Sequence, residues 1–201
     1  FGDVIVKMDE DSEGNLWFVS GGGKILKWTA GSQLIASSFE TVQKLSTNIQ
    51  QFIIDKQDQK WIASTGEGLY LLDVSGTKII KHFVHEESDP ATILSDKIND
   101  IAIFNDSLML AGTDGGLSLI NIVSGSINNK TIYSGLPGTS IAQILPDNFG
   151  AAWMITNNGL CGYHVNKGFF SSYDQRDGIV NAQIATRAKM ISDENILWFG
   201  G

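Results

Sequence analysis

The acidic run Asp9-Glu10-Asp11-Ser12-Glu13-Gly14 opens like a calcium loop, in which alternating oxygen ligands precede a glycine turn. Such a loop needs a bidentate Glu at its twelfth position, and Ser20 stands there, while Glu13 replaces an Asp or Asn. A strand pattern rather than a helix also follows. The run is a β-turn. Gly21-Gly22-Gly23-Lys24 invites a phosphate-loop reading, yet no first glycine lies at the required spacing and Ile25 occupies the place of the magnesium-binding Ser or Thr. It is a turn as well. His82 and His85 are three residues apart, which in a strand sends their side chains to opposite faces. His164 has no acidic or cysteine partner at ligand spacing. Neither a metal site nor a cofactor is expected.

Catalytic arrangements fare no better. There is no Gly-x-Ser-x-Gly nucleophile elbow. A sialidase reading fails because the Asp of each turn lies six rather than five residues before its Trp, and Arg176 and Arg187 cannot supply three carboxylate-binding arginines. A glycosidase needs two carboxylates about 5–9.5 Å apart on converging loops. Glu67, Asp96 and Asp114 sit in loop segments but form no recognisable motif. The chain reads as a non-enzyme.

Composition narrows the partners. The net charge is −8, and the 14 basic residues are spread out with only two arginines, so the clustered cationic surface that displaces counterions from nucleic acid is missing. Cys161 is the single cysteine, which rules out an internal disulfide without fixing the compartment. No apolar run approaches the ~20 residues of a membrane span, and no basic-then-apolar leader begins at Phe1. A soluble piece of something larger is expected.

The elements that must position any functional group come from an internal repeat. Anchors at Trp17, Trp61, Met109, Trp153 and Trp198 are 44, 48, 44 and 45 residues apart. Before each lies a short β-branched run, such as Ile49, Phe52 and Ile54 or Ile98, Ile101 and Ile103, and after several comes a Gly-Leu pair (68–69, 116–117, 159–160). A repeat of about 40–45 residues carrying four short strands is the signature of propeller blades. With 22 glycines, three prolines and no sustained amphipathic helical spacing, the chain reads as all-β, a partial β-propeller of about four and a half blades. The expected blades are 1–47, 48–97, 98–140 and 141–183, with a half blade at 184–201. A Trp repeated at one position per blade is assigned to packing between sheets, burying ~150–250 Å² each, rather than to a sugar-stacking platform. Leu of each Gly-Leu pair is expected in the core.

In such a fold the loops entering each innermost strand and those joining second and third strands share one face. That face is expected to carry Asn48, Thr65, Glu67, Asp96, Asn99, Thr113, Asp114, Asn157, Asn158 and Asn181. Their amides, hydroxyls and carboxylates offer donors and acceptors suited to sugar hydroxyls, although Asn, Asp and Thr are also ordinary turn formers. An open arc of blades leaves sheet faces uncovered, so closure on a second copy or between the terminal strands is expected.

The phrase of hydrophobic strand, Asp-x-x-Gly-Asn-Leu-Trp and Thr-x-x-Gly-Leu resembles the two-component regulator propeller repeat. Asp11 to Trp17, Trp61 to Tyr70 and Gly112 to Leu117 carry the likeness, and Tyr173 to Asn181 followed by Leu197-Trp198-Phe199-Gly200-Gly201 looks like the closing blade of such sensors. The third unit departs, with Asn105-Asp106-Ser107-Leu108-Met109 in place of the Asp turn and its Trp. The resemblance implies the periplasmic sensor region of a Bacteroides-type hybrid histidine kinase, often two propellers, detecting glycan breakdown products. A propeller lyase or hydrolase acting on glycans, or a protein-interaction scaffold, is the alternative.

Overall fold

The computed structural model describes residues 4–33, 39–45, 47–179, 189–192, 194 and 196–199. The chain divides into two compact units, Phe1–His85 with Asp96–Ile98, and Glu86–Ser95 with Asn99–Gly201. All regular structure is antiparallel sheet, save two single-turn 3₁₀ helices at Ile132–Ser134 and Gln175–Asp177 among the described residues. No described helix is long and apolar enough to cross a membrane.

The first unit holds two four-stranded sheets, each a simple meander. One is β1 (Ile5–Glu10), β2 (Leu16–Ser20), β3 (Lys24–Trp28) and β4 (Phe39–Lys44); the other is β5 (Ile49–Ile54), β6 (Lys60–Ser64), β7 (Leu69–Leu72) and β8 (Ile79–Phe83). The innermost strands β1 and β5 face each other, and the core between the sheets contains Trp17, Val19, Ile25, Ile49, Phe52, Ile62 and Leu72. The second unit repeats the plan with β9 (Ile98–Asn105), β10 (Leu108–Thr113), β11 (Gly116–Asn121) and β12 (Ile127–Lys130), then β13 (Ile141–Pro146), β14 (Ala151–Thr156), β15 (Gly159–His164) and β16 (Phe169–Tyr173). A two-stranded sheet follows, β17 (Lys189–Ile191) with β18 (Leu197–Phe199). Leu110, Leu117, Ile141, Ile144, Met154 and Cys161 fill the core of this unit.

One local device recurs. In the first sheet Trp17 Nε1 donates to Asp11 Oδ2 at 2.8 Å, while Asp11 Oδ1 accepts from the backbone of Glu13 and Asn15. In the second, Trp61 donates to Asp55 at 2.9 Å, and Asp55 accepts from the backbone of Gln57 and Gln59. In the fourth, Trp153 donates to Asp147 at 2.9 Å, and Asp147 accepts from the backbone of Phe149 and Ala151. One carboxylate thus satisfies the tip of the turn and the only polar atom of a large aromatic ring. That explains the six-residue spacing. The third sheet lacks an indole at this point, since a wholly buried Met109 replaces it, and the β9–β10 connection shrinks to Asp106-Ser107, whose tip is held by Asn105 Oδ1. In the last sheet Ser192 stands six before Trp198: its N donates to Ile196 O at 2.9 Å and its hydroxyl accepts from Ile196 N at 3.1 Å.

The anchors differ in depth. Trp17 and Trp61 are wholly buried, Met109 likewise, but Trp153 is half-buried and Trp198 is 57% exposed. Trp198, in the last described strand, is therefore not part of the described cores. Leu160 is also only half-buried, the core position beside it going to Cys161. Trp17 shows what full cover means. Gly76 lies so close that a Cβ there would meet the ring at 2.7 Å. Over the same ring, at 4.1 Å, lies Nζ of the buried Lys60, which also donates to the carbonyls of Asp58 and Val74 at 2.7 and 2.6 Å. Burial pushes the Lys60 ammonium below its usual pKa, and the two carbonyls and the ring face keep the cation accommodated.

Adjacent sheets are also tied by carboxylates. Asp9 of β1 accepts from Ile54 N of β5 at 2.8 Å. The buried Asp100 of β9 accepts from Ile144 N of β13 at 2.7 Å and pairs with Lys189 of β17, whose Nζ also reaches Ile144 O at 2.7 Å.

Burial alone would raise the pKa of Asp147, but donors from Ala151, Trp153, Phe149 and Gly150 outweigh it and hold the group below 3.8; Asp11 is held down in the same way by Trp17, Asn15 and Glu13. A carboxyl depressed in the fold contributes stability that is complete above its unfolded pKa and lost as pH falls through the folded value. Asp147→Ala should cost about 2–3 kcal/mol in urea unfolding at neutral pH, by loss of charge-assisted bonds and an orphaned indole N–H. The double variant Asp11→Asn, Asp147→Asn should flatten the fall in stability expected below about pH 4. An unchanged acid limb would mean that these carboxylates are not the groups responsible.

Candidate functional site

Successive turns of a meander alternate between its two ends. The Asp–Trp turns occupy one end of the first, second and fourth sheets, so the turns joining second and third strands stand at the other, beside the entry to the innermost strand. Backbone bonds confirm the adjacency: Thr65 N donates to Asn48 O at 3.1 Å, and Asn157 N to Ser140 O at 3.0 Å.

In the first unit this end gathers Asn48, Thr65, Glu67 and Asp96. Asn48, Thr65 and Glu67 are exposed and Asp96 half-buried. Gly68, at φ +75°, brings its N within 2.8 Å of Asp96 O, and a Cβ there would lie 2.1 Å from Phe83 O. Only glycine fits. Asp96 Oδ1 in turn accepts from His85 N at 2.7 Å. Glu67 accepts from the Tyr70 hydroxyl at 2.7 Å, and the His82 ring stacks on Tyr70 with centroids 4.0 Å apart while its Nε2 lies 2.6 Å from Glu67 O. That contact requires the proton on Nε2, since a carbonyl only accepts. Burial, reinforced by Glu67 and by the charge of Asp96, raises the Tyr70 phenol to about 12. The phenol is thus a fixed donor.

In the second unit, Asp114 accepts from Asn99 Nδ2 at 2.8 Å and from Ser140 Oγ at 2.9 Å, and Asn99 also donates to Ile141 O. Asn157 Oδ1 accepts from Ser140 N at 3.1 Å, and Asn158 Nδ2 donates to Pro137 O at 2.9 Å. These amides stand at the edge of an open cleft of about 340 Å³ lined by Asn157, Asn158, Gly159, Asp174, Gln175, Arg176 and Ile179. Its far wall is the 3₁₀ turn after β16. Asp174 accepts from Arg176 N at 2.8 Å and from its guanidinium, whose Nε lies 3.1 Å from both carboxylate oxygens and Nη2 2.6 Å from Oδ2. These bonds hold the Asp174 carboxyl below its usual value and the Arg176 pKa above its own.

The expected residues therefore fall into two sets, one in each unit. Thr113 departs from the expectation. It is wholly buried, its hydroxyl donates to Gly116 O at 3.0 Å and accepts from Gly115 N, and it closes a turn rather than facing a ligand. Asn181 lies outside the described residues. Reasoning from turn residues alone passed over Asp174, Gln175 and Arg176. A signal was present in Asp174-x-x-Asp177-Gly178, where Asp174 N donates to Asp177 Oδ2 and Gly178 takes a left-handed conformation at φ +87°.

No family model matches the chain. Histidine kinase P4 of Formosa agariphila is 21% identical over 203 residues, covering 96% of this chain and 14% of that protein. The extracellular domain of a hybrid two-component system from B. thetaiotaomicron superposes with a TM-score of 0.77 at 18% identity, over 98% of this chain and 28% of that one. The WD40 β-propeller domain of Doa1 superposes at 0.59 and 12% identity, over 84% of this chain and 52% of that one. These likenesses establish the fold. It is all-β, and the four-stranded sheets are of the β-propeller type that the repeat predicts. The chain spans about a seventh of the curated relative's length.

Glu67→Gln should lower the Tyr70 pKa from about 12 toward, but not to, its ordinary value of 10, because burial persists. Ultraviolet titration of variant against wild type reads this directly. An unshifted phenolate transition would show that Glu67 does not hold the hydroxyl in solution.

Proposed function

We propose that this chain is part of the extracytoplasmic, ligand-sensing propeller region of a hybrid two-component receptor, binding a glycan-derived ligand. The signal passes to a histidine kinase elsewhere in the receptor. The observation that supports this most is the match to an extracellular domain of such a system over 98% of the chain. Fold alone does not assign function, so the site must carry the rest. The second unit offers a cleft of about 340 Å³, within the range of small-ligand sites, whose edge is built from side-chain amides and one ion pair. Amides donate and accept, as sugar hydroxyls do. Within the second unit, Asn99 and Asp114 are read as secondary contacts; Asn48, Thr65, Glu67 and Asp96 form a separate polar set in the first unit.

In this reading the blades are 1–47, 48–97, 98–140 and 141–183, with a half blade beyond, and a further propeller or a second copy covers the open sheet faces. Ligand binding shifts the populations of two arrangements of propellers or protomers, and the differential affinity supplies the signal. The chain itself performs no chemistry. Of the described residues lining the cleft, the one carboxylate, Asp174, is paired with Arg176.

Isothermal titration of the chain against a panel of oligosaccharides, with parallel assays for reducing ends and unsaturated products, tests the reading. Saturable binding without turnover is expected. Turnover would favour a glycan hydrolase or lyase, and neither binding nor turnover would favour an interaction scaffold.

A further inference from the structure

The core of the second unit opens at the end of β15 away from the cleft. Between the third and fourth sheets lies a pocket of about 280 Å³. Leu108, Leu119, Ile127 and Val165 give it apolar walls, while Tyr163 and the exposed Asn128 bring polar groups, and no residue of the lining is charged. Strand register explains why space is left here. Trp17, Trp61 and Trp153 each stand three residues before the Ser or Thr that ends their strand (Ser20, Ser64 and Thr156). The same count back from Thr113 reaches Leu110, one residue beyond the sequence anchor Met109, so a Leu takes the place of the ring.

In the first unit the Trp17 ring lies against its strand partner Lys27, whose Nζ is 5.2 Å from the ring, and against Lys60, whose Nζ also bonds Val74 O. Leu119 pairs with Leu110 as Lys27 pairs with Trp17. Ala152 pairs with Tyr163 as Lys60 pairs with Leu72, so Val165 matches Val74. The first unit thus fills this place with an indole and an ammonium. The second has Leu110 and Ala152 instead, and the pocket is what remains. Tyr163 is only 3% exposed, and its hydroxyl has no hydrogen-bond partner among the described residues. A buried hydroxyl left unpaired is costly. Burial raises the phenol above its usual pKa, so it keeps its proton and both donates and accepts. An apolar slot between two sheets with one unpaired hydroxyl suits a flat ring carrying a single polar group.

We propose that this pocket is a binding site, separate from the cleft, for a small planar aromatic molecule of about indole size whose one polar group bonds the Tyr163 hydroxyl. The first unit's own indole, seated at the matching place, sets the size and shape. The Asn128 amide, which has no side-chain partner among the described residues, stands beside the entering molecule.

Calorimetry on the whole chain with indole, and with indene as the isostere lacking the N–H, tests this. Indole should bind saturably at one site, and indene about fivefold more weakly, the difference one hydrogen bond makes. Tyr163→Phe should weaken indole by about fivefold and leave indene unchanged. It should also keep or raise the thermal midpoint, because the hydroxyl it removes is unpaired in the free chain. Ile127→Trp, a change at a half-buried wall position, should fill the pocket and cut binding of both probes by about tenfold or more. Failure of the wild type to bind either probe overturns the inference, as does undiminished indole binding in Ile127→Trp. A lowered midpoint in Tyr163→Phe overturns it as well, since the hydroxyl would then be bonded already. The sensor reading stands or falls separately, because the cleft lies at the other end of β15.

Discussion

The structure depends on a carboxylate that does two jobs at once. A Trp large enough to hold two sheets together brings an indole N–H into a dry environment, and that donor must be satisfied there. Placing Asp six residues earlier, at the head of the preceding turn, provides the acceptor. The second oxygen of the same group gathers the turn's own amides. In Asp11–Trp17, Asp55–Trp61 and Asp147–Trp153 the hairpin and the core are thus stabilised by one side chain. The third sheet tests this logic from inside the molecule: without the indole there is no donor to satisfy, and the Asp turn is gone too.

Anchoring one end of each sheet leaves the other free to vary. At that end Ser64, Thr113 and Thr156 close the hairpin turns with their hydroxyls, while the residues at the turn tips are left to vary. The ties between sheets use charge sparingly. Asp9 caps a strand amide of the neighbouring sheet, Asp100 joins β9, β13 and β17 through Ile144 and Lys189, and Lys60 lies against the Trp17 face. Each buried charge has its partners, as a low-dielectric interior demands. A rigid frame carrying variable loops is a common way to position binding residues.

Much of the fold was legible because strand-forming runs, turn residues and a spacing of 44 to 48 residues all point the same way. The six-residue Asp–Trp interval was visible too, and read only as a departure from sialidase turns; its physical meaning needed the indole hydrogen bond. Burial was harder to read. Trp198 resembles Trp17 in sequence yet is exposed, so the residue type alone does not fix its depth. Thr113 looked like other loop hydroxyls, yet the Gly116 carbonyl draws it inward. Asp174, Gln175 and Arg176 are not legible as cleft residues from sequence, because only the folded chain brings their capped turn beside Asn157 and Asn158. Sequence shows which residues favour turns; only the meander shows which turns meet.

We propose that a ligand seats in the second unit between the Asn157-Asn158 turn and the Asp174–Asp177 turn. Amide hydrogen exchange on the chain, with and without a saturating mixture of neutral and acidic oligosaccharides, tests that proposal most directly. The account predicts new protection concentrated in residues 157–159 and 174–179, with the Asp–Trp turns at the opposite end unchanged. Protection confined to those opposite turns, or to the strands alone, would contradict it.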